Sequence, residues 1–318
     1  MNVKTRVTDL LNIEYPIIQG GLAYLAYSDL AAAVSNAGGL GQLTAMTLKA
    51  PEDLRREIKR VRSLTNKPFG VNFAIGQHGR SYEHMLQVAI DEMVPVISVT
   101  GGNPKDVLDR LKGHDIKTLV LVAAKRQAIK AEELGADAVM VVGQEGGGHL
   151  GRNDSGTFVL TPEVVDSVSI PVISSGGIVD GSGLMAALSL GADGIEMGTR
   201  FICTKECVDA HENYKQAILD ADENSTVVIK RSLGAPARVL KNSWTEKILE
   251  IEKLGQGYES LKNYISGEAN KQFIYEGNAE SGFGWASQAS VRINDIPTVK
   301  ELFDSMLREA EEIAAKWR

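Results

Sequence analysis

The chain has 318 residues, 43% of them hydrophobic, with 32 glycines against 9 prolines and a net charge of −7. That is apolar material for a large core without staples, and the acidic balance leaves no basic stripe for a nucleic-acid backbone. The two cysteines, Cys203 and Cys207, form neither a disulfide framework nor, with His211 alone nearby, a zinc site, so two buried thiols and no metal are expected.

The opening residues MNVKTRVTDLLNIEYP lack the apolar core and cleavage pattern of a targeting peptide. No later run approaches the roughly 20 apolar residues that span a bilayer, so a cytoplasmic protein away from membranes is expected. From Tyr15 to about Arg200, short apolar runs alternate with amphipathic stretches of helical length. Strands are predicted, in chain order, at Pro16–Gln19, Leu40–Leu43, Phe69–Phe73, Val94–Val99, Thr118–Val122, Ala138–Val142, Val172–Ser175 and Gly194–Met197. Most are unbroken apolar runs, as parallel strands covered on both faces require. Helix starts are marked by Pro51, by Asn103-Pro104 and by Thr161-Pro162. The segments AEELGADAVMVV (131–142) and AALSLGADGIEMG (186–198) read as two copies of one helix-to-strand unit, with Gly135 and Gly191 as left-handed helix caps. Cys203 and Cys207, four apart, would share one face if their stretch is helical.

Eight strands alternating with helices predict an α/β chain of (β/α)8 TIM-barrel class, with a doubly wound open sheet as runner-up. The rhythm stops after Phe201. Residues 1–205 are assigned to the barrel body, 206–294 to an inserted helical lid of helices and glycine-containing loops, and 295–318 to a final segment whose Pro297–Arg318 stretch is one amphipathic helix returning to the barrel.

The glycine-rich stretches GGLAY, VTGGN, GQEGGGHLG, SSGGI and MGTRF each follow a predicted strand, at the end where barrel active sites are assembled. Ser175, Gly176 and Gly177 after the seventh strand, with Gly198 and Thr199 after the eighth, are placed to hold a phosphate through backbone N–H groups and hydroxyls. His149 follows three glycines after the sixth strand, in a loop open to close approach. An exposed histidine with a pKa near ~6.5 donates a hydrogen bond or moves a proton at neutral pH. His78, His84, His114 and His211 lie in polar or helical contexts and are read as ordinary surface or helix residues. Neither GxSxG nor a GxGxxG opening a helix after the first strand is present, which excludes a serine hydrolase elbow and a classical dinucleotide fold and leaves a phosphate-tailed cofactor held in a barrel.

The segments PIIQGGLAYLAYSDLAAAVSNAGGLG, KPFGVN, GQEGGGHLG, PVISSGGIVDG and LGADGIEMGTRF closely resemble the FMN-dependent nitronate monooxygenase family, once called 2-nitropropane dioxygenases. The resemblance runs over essentially the whole chain, including RSLGAPARVLKN (231–242) and SGFGWASQ (281–288). It implies FMN across the barrel mouth, with ring contacts mapping to Gly21, Leu22, Ala23, Asn72, Ala74 and Gly147. The phosphate maps to the two loops singled out above, and the family histidine to His149. Two positions depart from the family: Leu22 replaces a frequent Met, and Leu121 stands where some members place a Lys near the flavin. The resemblance implies oxidation of alkyl nitronates by oxygen through the flavin, and a homodimer is a further expectation. Its close relatives imply, as alternatives, NAD(P)H-dependent reduction of enoyl-[acyl-carrier-protein] or of quinones. A non-redox barrel binding a phosphorylated ligand is the alternative of another class.

Overall fold

A computed structural model describes residues 3–76 and 81–316 of the chain. The strands, in chain order, are β1 (Ile17–Gln19), β2 (Gly41–Thr44), β3 (Phe69–Ala74), β4 (Val96–Thr100), β5 (Lys117–Val122), β6 (Ala138–Val142), β7 (Gly148–His149), β8 (Val172–Ser175), β9 (Gly194–Met197), β10 (Thr226–Ile229) and β11 (Ala237–Leu240). Eight of them form one parallel sheet in the order β1-β9-β8-β6-β5-β4-β3-β2. Its ends meet: Gln19 N–H donates to the Leu40 carbonyl at 2.9 Å, Leu40 N–H donates to the Ile17 carbonyl at 3.0 Å, and Ile18 and Leu40 form a parallel bridge. The sheet is therefore a closed (β/α)8 barrel, and the open-sheet alternative is set aside.

Every predicted barrel strand is present within two residues of its expected bounds. The unbroken apolar runs arise because outward side chains such as Val71, Val120, Val139 and Ile195 are buried under helices, while inward ones fill the barrel. Near the strand N-termini the filling is apolar, made by Ile18, Leu40, Val96, Leu119, Ala138, Met140 and Ile173. Val7 and Leu11 of helix Arg6–Leu11 plug that end. Arg6 locks the plug through a two-pronged contact to Asp193, at 2.8 and 2.7 Å.

The duplicated GAD segments hold the same structural office. Gly135 and Gly191 both adopt left-handed φ (+92° and +89°), ending their helices as predicted. The aspartates behind them each tie the N-terminal edge of a neighbouring strand: Asp137 accepts from Thr118 N–H at 2.7 Å, and Asp193 from Val172 N–H at 3.1 Å.

Four expectations need correction. The helix expected to begin at Thr161-Pro162 begins a turn earlier, at Thr157, and carries Pro162 inside it. The Glu145 carboxylate accepts from Thr157 N–H at 2.8 Å and from its hydroxyl at 2.9 Å, a cap on the first helical residue that local sequence does not reveal. Residues 206–294 are not only helices and loops, because β10, β11 and β7 form a three-stranded antiparallel sheet. Cys203 and Cys207 are buried as expected but lie in a turn region and not on one helix; burial pushes both thiols up to about 12. Asn103 lies one position before the N-cap, which is Pro104 and not Asn103 as expected, and its side chain accepts from the N–H of Lys105, the first residue of the helix Lys105–Leu111, at 3.1 Å. No helix among the described residues is long and apolar enough to cross a membrane.

The last helix, Val299–Ala315, starts at a Thr298/Glu301 capping box and packs on helices Gly181–Ser189 and Ser28–Asn36, filling the gap between the last and first barrel units. Its anchor is Phe303, fully buried, with the rings of Tyr15 and Phe201 each 6.3 Å away. Replacing Phe303 with Ala is expected to cost about 3–5 kcal/mol, read as a lowered urea midpoint; an unchanged midpoint would show that this helix does not hold the barrel shut.

Candidate active site

Inward side chains change character toward the strand C-termini. There Thr44, Asn72, Ser98, Thr100, Ser175 and Glu196 replace the apolar filling, and above them a cavity of about 310 Å³ opens. Its floor is mixed, with Ala74, Leu121 and Val142 bordering it beside these polar groups.

Asn72 is buried, and its amide hydrogens donate to Ser98 Oγ at 2.9 Å and Thr100 Oγ1 at 2.8 Å. This turns its Oδ1 toward Gly21, where a Cβ would come within 2.4 Å of it. The loop after β8 runs through Gly176 and Gly177 at φ +94° and +78°, a region that side chains disfavour. Gly143 N–H donates to the Ser175 carbonyl at 3.0 Å, so the loops after β6 and β8 are joined. Thr199 Oγ1 accepts from Ser287 N–H at 3.0 Å, and Ser287 Oγ donates to the Glu145 carbonyl at 2.7 Å, tying residues 281–288 over both loops. Gly147 lies so close to this strap that a Cβ would meet Ala286 C at 2.6 Å.

His149 forms β7 with Gly148 and pairs with Ala237 of β11. Its ring lies 5.3 Å from that of Trp285, tilted by 41°, and its Nε2 is 2.8 Å from Lys230 Nζ. Lys230 follows β10 in the left-handed region at φ +63°, unusual for a side chain of its size. Its backbone N–H donates to Glu252 at 2.8 Å and its ammonium lies 5.5 Å over the Trp285 ring. Burial pushes the Lys230 pKa down to about 8, with Glu252 opposing. Glu196, wholly buried, is pushed up from the ordinary carboxylate range by its burial, against a hydrogen bond to Ser175.

All twelve residues expected at the site, Gly21, Leu22, Ala23, Asn72, Ala74, Gly147, His149, Ser175, Gly176, Gly177, Gly198 and Thr199, border this one cavity. Leu121, the departure noted above, borders it too. Sequence reasoning passed over Lys230, Glu196, Trp285 and Asn270, which line it as well. Glu196 carried a signal in the two-residue alternation of GIEM, whereas Lys230 reaches the site only through the antiparallel sheet. The remaining histidines play no part in the site where described: His84 and His114 are exposed, and His211 caps helix Glu212–Leu219 by accepting from Asn213 N–H at 3.0 Å. His78 lies outside the described residues.

A profile of the nitronate monooxygenase family matches residues 4–78 and 71–309. The chain belongs to that family. A probable nitronate monooxygenase of Staphylococcus saprophyticus is 33% identical, covering 98% of this chain and 99% of its own length. Among solved structures, FabK from Thermotoga maritima is 40% identical with a TM-score of 0.93, covering 99% of both chains. A nitroalkane oxidase from Streptomyces ansochromogenes is 29% identical with a TM-score of 0.85, covering 98% of this chain and 99% of that one. This family member is accordingly an oxidoreductase built on the barrel of the flavin enzymes.

The glycines of the site differ in what a substitution tests. At Gly176 a Cβ would be strained by its φ and would approach the Gly143 carbonyl at 3.0 Å. At Gly198 it would meet only the end of Leu22, at 3.3 Å. Gly198→Val is therefore expected to shift the melting temperature of the flavin-free protein by less than about 3 °C, under ~1 kcal/mol for a chain of this order. Flavin affinity should fall at least about tenfold as the side chain fills the space beside the backbone N–H groups. Undiminished flavin binding in this variant would place the phosphate elsewhere.

Proposed function

We propose that the protein is an FMN-dependent oxidoreductase that oxidises alkyl nitronates, with His149 at the reacting end of the site. The observation that carries the reading is that the two loops suited to a phosphate and the histidine loop border a single cavity. Ser175, Gly176, Gly177, Gly198 and Thr199 would hold the phosphate; the Thr199 hydroxyl, whose oxygen is engaged by Ser287 N–H, keeps its hydrogen for an anionic oxygen. Gly21, Leu22, Ala23, Asn72, Ala74 and Gly147 would line the ring, with Asn72 Oδ1 turned as an acceptor. Two buried oxygens at the cavity wall, Thr44 Oγ1 and Asn270 Oδ1, have no partner within the described protein, which suits a ligand with polar edges. FMN, when bound, supplies a two-electron acceptor that oxygen restores. The names borne by the staphylococcal and streptomycete relatives support a nitro-group substrate.

The 40% identity to FabK favours a second reading, reduction of an enoyl thioester on acyl carrier protein with NAD(P)H as hydride source. No finding favours a quinone reductase or a non-redox barrel. The two leading readings separate on mixing the FMN-bound protein, without oxygen, with ethyl nitronate in one vessel and NADH or NADPH in another. Loss of flavin absorbance with the nitronate alone is the expected result; loss with the nicotinamide alone would transfer the assignment to the reductase. His149→Ala should retain FMN and lose about 10²–10⁴-fold in turnover. Full turnover per bound flavin would remove His149 from the chemistry.

A further inference from the structure

The charged group at the reacting end is not settled by the histidine alone, because His149 Nε2 and Lys230 Nζ lie 2.8 Å apart. An ammonium has three hydrogens and no lone pair, so the hydrogen bond requires the imidazole nitrogen to accept. Lys230 in its charged form thus holds His149 as a neutral ring with its hydrogen on Nδ1. A second positive charge on the ring would face the first across a single hydrogen-bond length.

We propose that Lys230 is the anion-binding group of the site, directing its ammonium at the negatively charged oxygens of the substrate, and that His149 and Trp285 position it. This deepens the nitronate reading and rests on it for the identity of the substrate, because a nitronate carries its charge on two oxygens. Lys230 borders the cavity and is 8% exposed, so its charge is drawn into the site and away from bulk water. No carboxylate pairs with its ammonium among the described residues. Glu252, the nearest acid, is engaged by the Lys230 and Ser232 backbone N–H groups at 2.8 and 2.9 Å and by the Ser232 hydroxyl at 2.7 Å. Arg231 turns away to Asp154 at 3.0 Å, and Arg238 donates to the Gln144 carbonyl at 3.0 Å. The Trp285 face, 5.5 Å from Nζ, stabilises the cation without neutralising it. A strained backbone at φ +63°, anchored by Glu252 and by Leu233 and Ala235 N–H groups donating to the Lys230 carbonyl at 3.2 Å each, aims the side chain.

The groups facing this ammonium are His149 from β7, Trp285 from the strap and Glu252 from helix Ser243–Lys253. With its pKa lowered to about 8, Lys230 is charged below that pH and neutral above it. Anion affinity should therefore be level below about pH 8 and fall roughly tenfold per pH unit above it, with the limb moving upward when the anion itself stabilises the charge.

The test is calorimetric titration of the FMN-bound protein with nitrate, a planar oxyanion that does not reduce flavin, between pH 6 and 10. Lys230→Met should retain FMN and bind nitrate on the order of 10–100-fold more weakly at pH 7. Lys230→Arg should restore binding and abolish the alkaline limb, a rescue that a packing role would not produce. His149→Gln, which keeps an acceptor, should leave the limb in place. The proposal is overturned if wild type binds no nitrate, if Lys230→Met binds it as tightly as wild type, or if affinity follows a limb near pH 6.5 that disappears in His149→Gln. Should nitrate binding behave as expected while ethyl nitronate fails to bleach the flavin, the anion site stands and the nitronate assignment falls. Bleaching by ethyl nitronate with unweakened nitrate binding in Lys230→Met keeps the nitronate assignment and removes Lys230 as the anion-binding group.

Discussion

Everything in this molecule hangs on the seam at which the first strand meets the second. Parallel strands joined by helices all run the same way, so closing the sheet brings eight C-terminal ends, and the loops that follow them, to one mouth. The seam is buried and specific. Beyond the backbone bonds between Gln19, Leu40 and Ile17, the Gln42 amide donates to the Gln19 carbonyl at 3.0 Å, and Gln42 N–H donates to Gln19 Oε1 at 2.9 Å. Gly41 completes it because a Cβ there would come 1.9 Å from the Ala31 carbonyl, so helix Ser28–Asn36 could not seat on the strand.

Closure also divides the barrel interior into two chemistries. The end plugged by Val7 and Leu11 is apolar and contributes stability, whereas the other end carries hydroxyls, an amide and a carboxyl that point into the cavity. Burial drives Glu196 toward its protonated form, which limits negative charge beneath the loops after β8 and β9. Those loops are braced to one another through Gly143, Glu145, Thr157 and Ser287, so the cavity wall is one hydrogen-bonded unit and not five independent turns.

The antiparallel sheet of β7, β10 and β11 adds what the barrel cannot. It takes the loop after β6, pairs it with residues some ninety positions later, and so sets a lysine from one segment against a histidine from another. Trp285 lies against both, edge-on to Phe283 at 4.9 Å, and the Tyr214 hydroxyl donates to its carbonyl at 2.5 Å. A buried lysine set against an imidazole is an arrangement that neither segment could hold in water by itself, because each side chain would be solvated and free to turn.

The barrel was legible in the chain because its signals are local: apolar runs of strand length, glycine caps at 135 and 191, and capping residues at helix starts each follow from backbone sterics within a few positions. That the twelve expected residues would border one cavity was legible for a related reason, since in a parallel barrel the loop after a strand lies at the mouth, and so position in sequence already gives position in space. Contacts between distant segments were not legible. The start of helix Thr157–Val165 depends on a carboxylate twelve residues earlier, β10 and β11 pair by a register no local pattern announces, and Lys230 meets His149 across eighty-one positions. Sequence alone thus determined the barrel and the loops that border its cavity, because each is encoded by neighbours along the chain; that Lys230 stands against His149 was decided only by the tertiary structure, because burial and pairing are properties of groups brought together by folding.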